Sequence, residues 1–167
     1  MAVITETLLD IIPSDVFGDE PTTNAGYARG TYTLTLASGD VVHTGRVLVL
    51  NEVEKTATLA DDTTAIAKAS QLGIFYGANP RTNGTAGRSN FEVSFKNNGA
   101  TYDVVAITRG DGSGQVYQGW LHIGASTAPA SFFHNKSEAI QKALTAKLTL
   151  ENRFKVVKSV KPEIAIV

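Results

Sequence analysis

Gly30–Leu36, GTYTLTL, followed by Val41–Asn51, VVHTGRVLVLN, is the stretch that decides the fold class. Tyr32, Leu34 and Leu36 alternate with Thr31, Thr33 and Thr35, so an extended chain presents one apolar face and one hydroxyl face. That alternation predicts a half-buried strand. Ala37-Ser38-Gly39-Asp40 supplies turn residues, and the apolar run from Val41 reads as the returning strand of a β-hairpin.

Downstream, Thr56–Leu59 predicts a short strand, and Asp61-Asp62-Thr63-Thr64 offers side-chain acceptors that would cap a short helix over 65–70. Leu72–Gly77, LGIFYG, reads as a buried strand, and the polar, Gly/Asn-rich run 78–90 as an exposed loop. Phe91, Val93 and Phe95 share a strand face. With Asn97-Asn98-Gly99 and Gly110–Gly114 as turns, 91–95, 101–108 and 115–124 predict a three-stranded meander. One amphipathic helix is expected over about 136–148. Asn135 and Glu138 form a capping pair, Ile140, Ala143, Leu144 and Leu148 the inner stripe, and Lys136, Gln141 and Lys142 the outer face. The tail returns to strand character in RFKVVKSV and EIAIV, and its apolar end is expected to dock on its own sheet or on a neighbour.

Upstream, Ile4, Leu8, Ile11 and Ile12 have helical spacing, while Val3, Thr5 and Thr7 suit a strand equally well. Pro13 ends that element. The run to Gly30 is rich in Pro, Gly, Asn and Thr, with the single apolar pair Val16-Phe17. Residues 1–29 therefore read as an extended arm or loop and 30–167 as one β-rich domain, a size that permits a sizeable core.

Charged residues make up only 19% of the chain, so Thr, Ser, Asn, Gln and Gly must cover much of the surface. A net charge of −1 without a basic stripe argues against a nucleic-acid partner. The absence of cysteine excludes disulfides and thiolate metal sites. At the N-terminus no basic region precedes the apolar residues, and Glu6 and Asp10 interrupt them, so neither a signal peptide nor a membrane span is expected.

His43, His122 and His134 lack metal-ligand spacing and read as structural histidines; no metal or cofactor is expected. Ser113 lies in a turn, with no base beside it in sequence, and there is no nucleotide-binding fingerprint, so the chain is not expected to be an enzyme. Arg109-Gly110-Asp111 matches a tripeptide that adhesive proteins display. It also sits where a turn is required, and Gly110, Asp111, Gly112 and Gly114 tolerate positive φ. Trp120 alternates with Gln118 and His122, giving a mixed strand face open to a partner or ligand.

These readings converge on a mainly β fold, an antiparallel β-sandwich or partly closed barrel of roughly eight to ten strands with one helix against it. In its long arm, polar loop 78–90, Thr-rich strand faces and apolar tail, the whole chain resembles the small structural proteins of tailed-bacteriophage virions: capsid decoration or cement proteins, tail-tube subunits and coat proteins. The resemblance is one of texture and carries over no functional residue. It implies a non-enzymatic subunit of a virion assembled in the host cytoplasm, a homo-oligomer that also contacts other virion proteins. Ile4, Leu8, Ile11, Ile12, Val16, Phe17, Ile164, Ile166 and Val167 are its candidate contact residues. The alternative is a binding module that presents loops 78–90 and 109–114 to a receptor or glycan.

Overall fold

The computed structural model describes residues 11, 13–18, 28–37, 41–78, 94–96, 101–124 and 128–158. These form a short helix α1 (Pro13–Val16), a longer helix α2 (Glu138–Leu150) and nine strands. The strands are β1 (Ala28–Thr35), β2 (Val41–His43), β3 (Val47–Asn51), β4 (Thr56–Leu59), β5 (Gln71–Ala78), β6 (Ser94–Lys96), β7 (Thr101–Arg109), β8 (Gln115–Tyr117) and β9 (Lys155–Val157). Three single 3₁₀ turns, Gln118–Trp120, Pro129–Ser131 and Phe133–Asn135, link β8 to α2.

Five strands close on themselves in the order β1-β4-β3-β5-β7. Of the two architectures expected, the barrel is the one these five strands form, and it is fully closed. Four of its five pairings are antiparallel, but β1 runs parallel to β4, with Leu34 opposite Ala57. Inside pack Tyr32, Leu34, Leu48, Leu50, Phe75 and Val104, with the small residues Ala57, Ala78 and Ala106 where facing walls meet. Gly73 belongs to this fit, since a Cβ there would come within 2.7 Å of Leu50 Cδ1. The Tyr32 ring is buried while its hydroxyl donates to the Glu52 carboxylate. Burial, reinforced by that bond to an anionic acceptor, raises the phenol pKa.

The outer faces of β3, β5 and β7 are covered as well. Val47, Ile74 and Ile107 point away from the barrel into a second cluster with Phe132, Leu144, Leu148 and Phe154. Side chains alternate along a strand, so burial on both faces makes every residue of such a strand apolar. VLVL in β3, LGIFY in β5 and VVAI in β7 are the result. β1 has one covered face and keeps its threonines outside.

Several expected pairings are replaced. The predicted hairpin between 30–36 and 41–51 does not form, because both edges of β1 are taken by β7 and β4. The second run also breaks at Gly45, whose φ of 96° ends β2 and starts β3 in a new direction. A Cβ at Gly45 would lie 2.7 Å from the Trp120 carbonyl oxygen, so only glycine fits. The predicted meander is likewise dispersed: β6 pairs with β2, β7 lies between β1 and β5, and β8 pairs in parallel with β9. The predicted strand 115–124 ends at Tyr117 and continues as a 3₁₀ turn.

Asp61 caps as expected, its Oδ1 accepting the amides of Thr63 and Thr64 at 2.9 and 2.7 Å, but residues 62–66 remain turns and no helix follows. The carbonyls of Ala67 and Ser70 instead accept the Lys147 ammonium, both at 2.6 Å. α2 begins two residues later than predicted. Its N-cap is Ser137, whose Oγ accepts the Ile140 amide, while Asn135 Nδ2 donates to the Pro129 carbonyl.

Candidate functional site

The contact residues expected from sequence divide between the core and the regions beyond description. Ile4, Leu8, Ile12, Ile164, Ile166 and Val167 lie outside the described residues. Ile11, Val16 and Phe17 are buried in this chain's own outer cluster. Phe17 bridges to Val116 and the Gly18 amide donates to the Gln115 carbonyl, so this part of the arm closes one edge of β8.

The tripeptide Arg109-Gly110-Asp111 starts the turn that the glycines predict. Asp111 and Gly112 have φ of 49° and 79°, and the amides of Ser113 and Gly114 both donate to the Gly110 carbonyl. Arg109 Nε lies 2.7 Å from Asp111 Oδ1, so the two charged side chains clasp each other. Gly110 is wedged against the chain after α2: its amide donates to the Asn152 carbonyl, and a Cβ would meet Phe154 Cδ1 at 2.5 Å. Loop 78–90 lies outside the described residues apart from Ala78, which is buried.

The most unusual chemistry lies inside. Arg46 and His122 have no accessible surface and His43 is 4% exposed, so three basic side chains share a buried junction. Residues 46 and 122 form a parallel bridge, the Val47 amide donates to the His122 carbonyl, and the His122 amide donates to that of Gly45. The Arg46 guanidinium donates to the Gly124 carbonyl. His122 Nδ1 lies 2.9 Å from the Trp120 carbonyl oxygen. A carbonyl can only accept, so Nδ1 carries the proton and Nε2 is the bare nitrogen. Burial, and then the Arg46 charge, hold the His122 pKa well below 6.5 against the opposing bond to Trp120.

His134 is half-buried and stacks on Phe132, which in turn packs on His122. Trp120 is half-buried against the outer cluster, on a 3₁₀ turn instead of the mixed strand face expected.

Two side chains that sequence reading passed over fasten the layers together. Lys147, 7% exposed, ties α2 to the 67–70 turn, and its placement three residues after Leu144 and one before Leu148 was the available signal. Asn152 Nδ2 donates to the carbonyls of Leu72 and Thr108 at 2.8 and 2.7 Å, joining β5 to β7. Beside it is a pocket of about 330 Å³ lined by Glu52, Gln71, Thr108 and Glu151. A wider groove of about 500 Å³ runs along α2 past Phe133, Ala146, Leu150 and Lys158. Among the described residues no three His, Cys, Asp or Glu side chains are placed to hold a metal ion, and no helix is long and apolar enough to cross a membrane.

Comparison with protein families, with curated proteins and with solved structures finds no match to this chain.

Proposed function

We propose that this protein is a non-enzymatic structural subunit of a virion or comparable particle, working through contacts with copies of itself and with other particle proteins. The observation that carries the reading is the distribution of strand edges. A closed barrel has none to offer, and Phe17 and Gly18 cover one side of β8. Among the described residues the β2–β6 pair has no further strand beside it, and neither has the outer side of β9. Its Val156 and Val157 are half-buried, and the sequence continues as SVKPEIAIV, rich in β-branched residues suited to strand addition. The chemistry-bearing side chains support the same reading, since His43, Arg46 and His122 lie within the core.

A binding module built on the 109–114 turn has less support, because Arg109 and Asp111 engage each other. In the assembly reading, association draws on apolar burial at about 25 cal/mol per Å², over an interface of roughly 1,600 Å², less the cost of ordering.

Light scattering on the full chain and on a chain ending at Lys158 tests this. The full chain should give a defined oligomer that persists on dilution, and loss of residues 159–167 should lower its mass while leaving every described residue in place. A full chain that stays monomeric at every concentration would sink the proposal.

A further inference from the structure

We propose that His122 is the trigger of an acid-sensitive seam: a proton arriving at Nε2 parts the outer layer, residues 118–124 and 128–150, from the barrel wall at Arg46-Val47. His122 is one of the places where that layer is sewn to the barrel. Its backbone bonds to Gly45 and Val47 on one side and bridges to Phe132 on the other. On its flanks, the Leu121 carbonyl accepts the Phe133 amide and the Ile123 amide donates to the Ser131 carbonyl. His122 thus touches both β3 and the 3₁₀ segment leading into α2, next to the Gly124 bonds to Ala60 and Arg46.

The surroundings make a second charge there costly. Nε2 is buried and has no hydrogen-bonding partner among the described residues. The side chain packs on the Phe132 ring, 5.3 Å between centroids, and Cε1 lies 3.5 Å from where a Gly45 Cβ would be. The groups that act on it electrostatically are Arg46, always cationic, and His43 from β2, with His134 beyond the Phe132 ring. An imidazolium at 122 would place a buried charge beside Arg46, and opening the seam to water relieves it.

The direction of the pH effect follows from where the proton binds. The closed form excludes it while the open form accepts it at the ordinary value of 6.5, so closure is at full strength above that pH and weakens progressively as the pH falls beneath it. Opening would uncover Leu121, Ile123, Phe132, Phe133 and Leu144 together. A subunit with such a seam exposes a large apolar surface in a mildly acidic compartment and hides it at neutral pH.

Amide exchange on the full chain at pH 7.5 and 5.0, corrected for intrinsic rates, tests the seam. Opening of residues 118–124, 128–135 and α2 should rise about thirtyfold at pH 5.0, the factor for one group of ordinary pKa 6.5 charged only in the open form. Barrel amides of β1 and β7 should not change. His122→Asn retains a donor for the Trp120 carbonyl but cannot titrate, so its opening should be flat with pH. An unchanged acid response in His122→Asn would overturn the proposal. In the unaltered protein, an imidazole resonance of His122 titrating near pH 6.5 without faster exchange would overturn it as well.

Discussion

The barrel interior and the outer layer bury similar kinds of side chain by opposite means. Inside the barrel, Tyr32, Leu34, Leu48, Phe75 and Val104 are held by a continuous ladder of backbone pairs that closes on itself. The outer layer joins Phe17, Phe132, Phe133, Leu144, Leu148 and Phe154 from segments far apart in sequence. Scattered points fasten it to the barrel, among them His122, Gly124, Lys147 and Asn152. A ladder loses one rung and survives, whereas a point attachment is lost whole. The outer layer should therefore open at lower free energy than the barrel.

The sharpest way to break that contrast is a pair of truncations. Phe75→Ala, inside the barrel, should cost about 3–5 kcal/mol, and Leu144→Ala, in the outer layer, about 2–5 kcal/mol, both read from urea midpoints. Amide exchange separates them. Phe75→Ala should lower protection throughout, while Leu144→Ala should lower it first in α2 and in residues 118–124 and 128–135. Equal loss in the barrel for both variants would make the two regions one cooperative unit.

Next in size is Asn152→Ala, which leaves the Leu72 and Thr108 carbonyls without their donor and should cost about 2–3 kcal/mol. Its effect should concentrate where β5 and β7 meet the chain after α2.

The smallest effect is expected at Asp61, whose carboxylate is held below its usual range by the Thr64 amide and hydroxyl. A lowered carboxylate pKa contributes stability that is present above the unfolded value of 3.8 and lost as pH falls through the folded value. Asp61→Asn should thus lower thermal stability slightly at pH 7, where the carboxylate is ionised, and flatten its fall below about pH 4. That window is well separated from the one expected at His122.

Which segments are strands was legible, and which strands meet was not. The Thr/apolar alternation of 31–36 located β1, and β4, β5 and β7 fall within a residue or two of their expected positions. Alternation records that one face is covered; it is silent on the neighbour. The hairpin and the meander failed for that reason. The apolar run Leu72–Gly77 did read as a buried strand, though not what covers it.

Among the functional candidates, the 110–114 turn was readable because positive φ restricts residue choice. The His43, Arg46 and His122 junction was not, because it joins residues about eighty apart that no local pattern connects. Lys147 could have been read from helical spacing. Asn152 could not, because its partners are backbone carbonyls on two strands.

The closure of β1 by β7 also has a consequence in time. Thr33 pairs with Asp103, seventy residues later, so during synthesis the first barrel strand leaves the ribosome long before its main partner exists. The β3–β4 hairpin is the one barrel pairing that joins strands adjacent along the chain, and it is the natural seed around which the rest must wait. Until β7 arrives, β1 is an alternating, threonine-rich edge able to pair with its counterpart on another nascent chain. Where ribosomes crowd on one message, the same strand that later seals the barrel would be the first to go astray.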